Sequence, residues 1–362
     1  MKAIIEAETF STPGQHAASS RVVRVAVAGA TGYAGLELLR LLARHPQARV
    51  TRLMSSGRDG KKEFPIEQSH PSLSGKFAVP CQPLSVEALP PSEVDLVFLA
   101  TPHHTALEIA PRLLERKLRV IDLSAAFRLK DAAAYPRWYG FEHNAHAERE
   151  EAVYGLTELN GPSIAKARLV ANPGCYATSV ILALAPALEK GWVDTKAGVI
   201  SDSKSGASGA GRGLSEKLHF VEVNENCRAY GLFNHRHVPE MLQALKLAEK
   251  DFTFTPHLLP ITRGILSTLY VRLSKPRTHE EVVALYRDFY SGAPFVRVLE
   301  SGVPEIQSVA QTNFTDIGFS LDADGTRMII VSALDNLIKG AAGQAIQNMN
   351  LMYGLAEGMA LT

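Results

Sequence analysis

The sequence predicts an α/β protein with a doubly wound parallel sheet, followed by an α+β catalytic domain built on a mixed sheet. In the first half, short β-branched runs alternate with amphipathic helical runs, which is typical of parallel sheets covered on both faces. After residue 175, runs rich in Ile, Val and Thr return with few helices between them, which favours mixed or antiparallel pairing. A chain of 362 residues is also long enough for two domains.

The composition is that of a globular protein and excludes several function classes. Hydrophobic residues make up 46% and charged residues 21%, and the formal net charge of +1 leaves no broad basic surface for nucleic acid. No apolar run reaches the length of a membrane-spanning helix, and residues 1–20 do not resemble a signal peptide. The three cysteines lie far apart, which fits a reducing cytosol better than a disulfide scaffold. We therefore expect a cytoplasmic protein without a membrane partner, and a disordered extension over residues 1–20.

A strand, a glycine turn and a helix begin the first domain. The run Arg21–Ala28 is predicted as a buried strand, residues 29–35 (GATGYAG) as a turn, and Leu36–Arg44 as a helix. In such a Rossmann-like setting a nucleotide pyrophosphate lies on the helix N-terminus, although the G-x-x-G-x-x-G spacing also suits a plain turn. We predict a dinucleotide site formed by Gly29, Thr31, Gly32, Tyr33, Ala34 and Gly35.

The residues after the second predicted strand, Arg49–Met54, indicate which dinucleotide is used. An NAD-binding chain usually places an acid here to hold the ribose 2′-hydroxyl, but this chain has Ser55, Ser56 and Arg58. Serine hydroxyls donate to a phosphate and arginine pairs with it, so these residues suit the 2′-phosphate of NADP. We predict NADP as the cofactor, although an ordinary solvated loop is the alternative.

The remaining first half continues the alternation. The pattern predicts strands at 94–100, 119–123 and 169–171, a helix at 105–116 and an aromatic loop at 138–159. His103 and His104 open the helix after a strand end, and we interpret them as capping or surface residues.

A Pro-Gly turn then delivers a cysteine to the start of a helix. Residues 172–178 (NPGCYAT) precede the apolar run Val180–Leu188, so Cys175 is predicted at or near a helix N-terminus. Unpaired N–H groups and the helix dipole favour a thiolate there, and we expect the thiol pKa to fall. Cys175 is thus a candidate covalent nucleophile, the alternative being a buried structural cysteine.

Two further motifs in the second half carry candidate site residues. A predicted strand at 198–203 leads into the small-residue loop 205–213, in which Arg212 lies between glycines and suggests anion contact, unless the loop is a mobile linker. Residues 235–240 (HRHVPE) place two histidines just before a helix. No further Cys, His or Asp cluster has ligand spacing, so we predict no metal and interpret a histidine as a general acid or base.

Further predicted strands and helices complete the second half. The loss of strand–helix alternation after residue 175 suggests the domain limits. The pattern predicts strands at 258–273 and 328–332 and helices at 280–290 and 341–355. We predict an NADP-binding domain over residues 21–174, completed by the C-terminal residues 335–362, and a catalytic and dimerisation domain over residues 175–334.

Together these motifs resemble the N-acetyl-gamma-glutamyl-phosphate reductase family, of the aspartate-semialdehyde dehydrogenase-like superfamily. The matching stretches are 29–35, 172–178, 205–212, 235–240, 263–265 (RGI) and 335–340 (DNLIKG), in the family's order. The cysteine and H-R-H-x-P-E motifs are specific to the family, whereas the glycine turn is not. At 124–128 this chain has Ser-Ala-Ala-Phe-Arg where family members commonly have aspartate in the middle, which questions any role for an acid there.

The resemblance implies an enzyme of arginine biosynthesis that reduces a small acyl phosphate with NADPH. It makes Cys175 the nucleophile and His235 the acid or base, and places His237 near the substrate. We also expect substrate contacts from Arg212, Arg128, Ser205 and Gly206, a cofactor contact from Asn336, and a homodimer or homotetramer. The alternatives are a reductase of aspartyl or carrier-linked aminoadipyl phosphate, a cysteine hydrolase, and a non-catalytic NADP-binding sensor.

Overall fold

A computed structural model describes residues 22–57 and 62–362 of the chain. The predicted extension over residues 1–20 and the predicted cofactor residue Arg58 lie outside the described residues.

The first half forms a seven-stranded sheet with the strand order β3-β2-β1-β4-β5-β7-β6, and all of its strand pairs are parallel. The strands are β1 (Val23–Ala28), β2 (Ala48–Ser55), β3 (Cys81–Pro83), β4 (Leu96–Leu99), β5 (Arg119–Asp122), β6 (Val153–Tyr154) and β7 (Leu169–Ala171). The helices are α1 (Tyr33–Leu42), α2 (His103–Glu115), α3 (Ala134–Tyr139), α4 (His146–Glu151) and α5 (Thr157–Lys166). The predicted doubly wound parallel sheet is confirmed. The strand order reverses between β1 and β4, and ligands bind at such a switch point, beyond the carboxyl ends of the strands.

The second half forms a mixed seven-stranded sheet in the order β12-β13-β14-β11-β8-β10-β9, as predicted. Its elements are α6 (Cys175–Glu189), β8 (Val199–Gly206), α7 (Phe220–Val223), β9 (Arg228–Ala229), α8 (Val238–Leu245), β10 (Phe252–Leu259), β11 (Ile265–Arg272), α9 (His279–Phe289), β12 (Val296–Val298), α10 (Ile306–Val309), β13 (Thr315–Leu321), β14 (Arg327–Leu334) and α11 (Gly343–Met352). Strand β8 pairs in parallel with β10 and antiparallel with β11, so both pairing types meet at the centre of the sheet.

Helix α6 is buried on nearly all sides against this sheet and α8, which explains its apolar sequence. The small side chain of Ser179 lets the helix approach the strands closely. Its hydroxyl lies 2.9 Å from the Ser267 hydroxyl of β11 and 3.2 Å from the Ser332 hydroxyl of β14. These bonds satisfy buried hydroxyl groups next to the helix turn that begins at Cys175.

The structure differs from the sequence prediction at several places. The predicted loop 138–159 contains the helix α4, the strand β6 and the ends of two other helices. The predicted strand 258–273 is two strands, because Pro260 cannot donate to the ladder and Gly264 adopts a φ of +105°. Strand β13 was not predicted, since Asp316 and Gly318 interrupt its apolar pattern; Asp316 pairs with Arg297 of β12 at 2.6 Å.

The chain returns to the first sheet at its end. After β14, a π-helical turn (Ile338–Ala342) leads into α11, whose buried side chains pack in one core with β1 and α1. This packing accords with the predicted role of the C-terminal residues, while the exact domain limits stay a prediction.

Candidate active site

A cleft of about 910 Å³ lies at the switch point of the parallel sheet and is lined by residues of both halves of the chain. The glycine turn after β1 and the Cys175 loop after β7 both border it. The sequence-predicted site residues that line the cleft are Gly29, Thr31, Gly32, Tyr33, Ala34, Ser55, Ser56, Arg128, Cys175, Arg212, His237 and Asn336. The structure therefore brings most of the predicted cofactor and substrate residues to one site.

The glycines of the 29–35 turn have different physical roles. A Cβ on Gly29, which has a φ of +84°, would lie 2.1 Å from the Ala100 carbonyl oxygen, and one on Gly35 would lie 2.3 Å from the Gly29 oxygen. These two glycines permit close backbone packing, and Gly35 does not line the cleft. By contrast, a Cβ on Gly32 would meet just the Gly29 oxygen, at 3.5 Å, so the space beside Gly32 is open.

Gly32 is also the N-cap of α1, and no side chain caps this helix end. The first N–H groups of the ten-residue helix are thus left for an anion, and the open space beside Gly32 is a cradle that fits a pyrophosphate. Ser55 and Ser56 line the same cleft at the end of β2, where Ser55 is buried and Ser56 exposed.

Cys175 is the first residue of α6, with Gly174 as N-cap, as the sequence predicted. Its side chain is partly exposed to the cleft. Gly340 packs directly on it, because a Cβ on Gly340 would lie 2.7 Å from the Cys175 Cβ.

The predicted fall in the thiol pKa is wrong for the unliganded protein. Burial raises the pKa of Cys175 above its ordinary value. The Tyr176 N–H and the charges of Arg128 and Arg236 act in the opposite direction, and Glu240 adds to the rise. Desolvation of the thiolate therefore outweighs the helix N-terminus on which the sequence argument relied.

A buried ion pair holds the loop in front of Cys175. Arg128 Nη1 lies 3.0 Å from Glu240 Oε1, and the two side chains are 7% and 0% exposed. Arg128 Nε donates to the Asn172 carbonyl at 2.8 Å, and the Gly174 N–H donates to Glu240 Oε2 at 2.9 Å. Breaking such a pair typically costs about 3–5 kcal/mol, because the remaining charge is left uncompensated.

The predicted substrate contacts of Arg128, Ser205 and Gly206 stay predictions. Arg128 lines the cleft, but its guanidinium donates to Asn172, Leu123 and Glu240, so it is engaged within the protein. Ser205 and Gly206 do not line the cleft. They end β8, where a Cβ on Gly206 would lie 2.6 Å from the Arg263 nitrogen, so the glycine serves backbone packing.

The two histidines of the 235–240 motif occupy different environments. His237 is buried, lines the cleft and packs on Gly174, where a Cβ would lie 2.6 Å from the His237 Nε2. His237 Nδ1 has no hydrogen-bond partner among the described residues. His235 is half-buried among aromatic rings, and its ring centroid lies 5.5 Å from that of Tyr176 and 5.6 Å from that of Tyr230. It is not among the residues that line the cleft.

Both imidazoles are held in the neutral form near pH 7. Burial, followed by the charge of Arg236, lowers the pKa of His235 to about 4. Burial lowers the pKa of His237 well below its ordinary value, and His235, Arg128 and Arg236 lower it further. The backbone N–H of His237 donates to His235 Nδ1 at 3.1 Å. The neutral His235 ring therefore carries its proton on Nε2.

Two predicted residues of the second half contact the surrounding loops. Arg212 is exposed, and its Nη1 donates to the Thr31 carbonyl at 2.8 Å, which puts Arg212 beside the glycine turn. The Asn336 amide accepts from the Gly264 N–H at 2.7 Å and donates to the Ser208 hydroxyl at 3.0 Å. Their predicted contacts to substrate and cofactor stay predictions.

Sequence reasoning missed Arg236 and Glu240. Arg236 is exposed, lines the cleft and forms no ion pair or side-chain hydrogen bond with any residue in the described part of the chain. The sequence feature that could have identified Arg236 is its position between two candidate histidines. Glu240 is a fully buried acid, and the only hint in the sequence was a charge next to a proline at a helix start.

The described residues contain no group of three or more His, Cys, Asp or Glu that could hold a metal ion. Within 22–57 and 62–362, no helix is long and apolar enough to span a membrane.

Comparison with known proteins identifies the family of this chain. Residues 24–167 match the family model of the semialdehyde dehydrogenase NAD binding domain, and residues 175–336 match that of the semialdehyde dehydrogenase dimerisation domain. The N-acetyl-gamma-glutamyl-phosphate reductase of Pelotomaculum thermopropionicum is 50% identical over 339 residues, which are 92% of this chain and 96% of that protein. The reductase of Geobacter sulfurreducens is 50% identical over 349 residues, 94% and 98% of the two chains.

Solved structures share the fold at lower identity. Aspartate semialdehyde dehydrogenase II of Vibrio cholerae matches with a TM-score of 0.68 at 18% identity, covering 92% of this chain and 99% of that chain. The Candida albicans enzyme, solved with NADP, matches with a TM-score of 0.66 at 16% identity, covering 93% and 99%. The resemblance read from the motifs is thereby confirmed, and the chain belongs to the N-acetyl-gamma-glutamyl-phosphate reductase family.

Proposed function

We propose that this chain reduces N-acetyl-gamma-glutamyl phosphate to N-acetylglutamate semialdehyde with NADPH, through a thioester on Cys175, as a cytoplasmic enzyme of arginine biosynthesis. The observation that carries the proposal is that one cleft holds both the thiol at the start of α6 and the open cradle at the start of α1. The names of relatives about half identical to the chain identify the substrate.

The first half of the reaction uses the thiol. The Cys175 thiolate attacks the acyl carbon, a C–S bond forms, and the bond between the acyl carbon and the bridging phosphate oxygen breaks, so that phosphate leaves with the electron pair. Burial disfavours the thiolate, and the positive charges of Arg128 and Arg236 offset this in part. A negatively charged acyl phosphate is attracted to the same positive charges, and the departing phosphate takes up the proton that the Cys175 thiol gave up, so it leaves as the hydrogen phosphate dianion.

The second half releases the aldehyde. NADPH, when bound, supplies the hydride that reduces the thioester carbonyl carbon. The tetrahedral oxyanion then collapses, the C–S bond breaks, and the electron pair returns to Cys175 as thiolate. We assign His235 to proton transfer and His237 to substrate contact. The neutral His235 ring has an Nε2–H group, a donor of the kind that stabilises an oxyanion.

The cradle beside Gly32 would hold the NADP pyrophosphate, and Ser55 and Ser56 would receive the 2′-phosphate. No acid stands at positions 55–57, at the end of β2, where it would repel that phosphate. We therefore expect kcat/KM with NADP to exceed that with NAD by at least about 10-fold, the effect of one good charge-assisted hydrogen bond or more. Equal values for the two dinucleotides would show that this end of β2 does not recognise the 2′-phosphate.

Arg236 is proposed to hold an anionic group of the substrate. Its guanidinium lines the cleft without an ion pair to any described residue, and it lies between the two histidines in the sequence. Arg236→Gln should raise KM for the substrate by about 10- to 100-fold with a smaller change in kcat, since the contact is shared by the ground and transition states. Arg212→Gln is the comparison variant and should raise KM less, because this cation already donates to the Thr31 carbonyl. A larger KM effect of Arg212 would reverse the two assignments.

The assay that tests the function is NADP-dependent, phosphate-requiring oxidation of N-acetylglutamate semialdehyde, compared with aspartate semialdehyde. We expect activity with the former and a much lower kcat/KM with the latter. The reverse preference would move the chain to aspartyl phosphate reduction, and oxidation without phosphate would contradict the acyl-phosphate chemistry. No turnover with either aldehyde would favour a non-catalytic sensor.

We also propose that the chain forms a homodimer or homotetramer. The match of residues 175–336 to a dimerisation domain model supports this. Light scattering of the purified protein tests it, and a monomeric mass at assay concentrations would exclude it.

A further inference from the structure

The loop in front of Cys175 is held on both sides of Pro173 by side chains from other elements. Arg128, which follows β5, donates from Nε to the Asn172 carbonyl at 2.8 Å. Glu240, in the first turn of α8, accepts the Gly174 N–H at 2.9 Å. The two side chains are joined to each other at 3.0 Å, and we call this pair the clamp.

Both side chains of the clamp make further polar contacts. Glu240 Oε2 also accepts from the Tyr154 hydroxyl at 2.9 Å, and Arg128 Nη2 donates to the Leu123 carbonyl at 2.9 Å. Burying two charges carries a desolvation penalty that a well-packed apolar pair of similar volume would avoid. An apolar pair, however, has no groups that bond to the Asn172 carbonyl and the Gly174 N–H. The contacts of the clamp therefore fix the loop before Cys175, a role that an apolar core pair could not fill.

We propose that Arg128 and Glu240 are positioning residues for the nucleophile, fixing the peptide groups on both sides of Pro173 and thereby the place of the Cys175 sulfur in the cleft. This inference rests on Cys175 being the nucleophile of the proposed function. It gives Arg128 a role besides the predicted contact with the substrate. A sulfur displaced by about 1 Å is enough to lower turnover by about 100-fold.

The charges around Cys175 make the proposal testable. The charges that shift the thiol pKa of Cys175 are those of Arg128, Arg236 and Glu240. The thiol in turn raises the pKa of the phenols of Tyr176 and Tyr230. Within the clamp, Arg128 lowers the thiol pKa and Glu240 raises it, so the two contributions offset each other. Removing one member should thus shift the thiol pKa in a direction that depends on which member is lost. A general loss of stability would not shift the thiol pKa in opposite directions in the two single variants.

The experiment uses Glu240→Gln, Arg128→Met and the double variant, all in a Cys227→Ser background. Cys227 is exposed and Cys81 is buried, so alkylation by iodoacetamide in this background reports on Cys175. The pH dependence of the alkylation rate gives the thiol pKa. We expect a lower thiol pKa in Glu240→Gln, a higher one in Arg128→Met, and a value near that of the parent in the double variant. The kcat of all three should fall by about 10- to 100-fold.

Two further variants control for misfolding. Asp95→Asn breaks the ion pair between Arg24 and Asp95, which does not line the cleft, and should leave both the thiol pKa and kcat unchanged. Glu240→Asp keeps the charge but shortens the side chain by one methylene. It should lower kcat with little change in the thiol pKa, and it tests the proposal even if Glu240→Gln does not fold.

The inference is overturned if both single variants shift the thiol pKa in the same direction, or if neither shifts it. It is also overturned if the double variant regains the parent kcat, because charge balance alone would then explain the pair. Alkylation needs neither substrate nor cofactor. A failure of the proposed function would therefore appear as absent reductase activity in the parent, while the signs of the thiol pKa shifts would still test the clamp.

Discussion

Replacement of Cys175 by serine should abolish turnover while NADP binding is retained. A serine alkoxide is much harder to form than a thiolate and is a poorer leaving group, so both formation and collapse of the acyl-enzyme suffer. Loss of the nucleophile in a covalent enzyme lowers kcat by as much as about 10⁶-fold. Steady-state assays measure the loss, and quenching of protein fluorescence by NADP measures retained binding.

Cys227→Ser and Cys81→Ala are the matched controls for this prediction. Cys227 is exposed on the loop before β9, and Cys81 is buried in the core of the parallel sheet, so neither lines the cleft. We expect both variants to keep most of their activity. Substantial turnover by Cys175→Ser would rule out covalent catalysis through this residue.

The raised pKa of Cys175 adds a pH signature. The thiolate fraction of the unliganded protein, and with it the iodoacetamide alkylation rate, should keep rising with pH beyond the ordinary range of a thiol. NADP and a phosphate analogue change the charge and the solvation around the sulfur, so the measurement should be made with and without them. An alkylation rate already at its plateau near pH 7 in the unliganded protein would restore the original expectation of a lowered thiol pKa.

His235→Asn should lower kcat by about 10²–10⁴-fold with little change in KM, which is the usual loss of a general acid or base. His237→Asn should act more on KM, because a binding contact is shared by the ground and transition states. Steady-state kinetics of both variants separate the two roles. The reverse pattern would make His237 the proton-transfer residue, an outcome consistent with its place on the cleft wall beside Gly174.

The pH profile should differ from that of an ordinary histidine. A reference pKa of about 6.5 would place the acid limb of kcat/KM near neutrality. With the pKa of His235 lowered to about 4, the ring is neutral at pH 7 and becomes charged only as the pH falls through about 4. A role of neutral His235 is therefore fully available near pH 7 and lost in that acidic range. A limb near pH 6.5 that disappears in His235→Asn would contradict the lowered pKa of His235.

Local sequence signals were sufficient for the parts of the fold that depend on backbone chemistry. The glycine turn 29–35 and the Pro-Gly turn before Cys175 each require particular residues at particular backbone positions, so the pattern shows directly where helices begin. The parallel and mixed sheets followed from how strands and helices alternate. The short helix α3 was missed, because contacts such as the hydrogen bonds between Tyr135 and Leu129 fix it, and these contacts are tertiary.

The candidate site was predictable in its residues but less so in their partners. The sequence could not show that Arg128 forms an ion pair with Glu240, because Glu240 lies 112 residues away along the chain. It could not show that His235 faces aromatic rings while His237 reaches the cleft, since the two are separated by just one residue. The thiol pKa was misjudged for the same reason: burial depends on what covers a helix start, and Gly340 is 165 positions away from Cys175.

The central claim is that Cys175 carries the acyl group, and a single turnover without NADPH tests it most directly. The protein is mixed with N-acetyl-gamma-glutamyl phosphate, released phosphate is followed in time, and the quenched protein is digested for mass spectrometry. We predict a burst of phosphate stoichiometric with protein, and an acyl group labile to hydroxylamine on the peptide that contains Cys175, both absent in Cys175→Ser. Phosphate release that requires NADPH, or an acyl group on any other residue, would contradict the account.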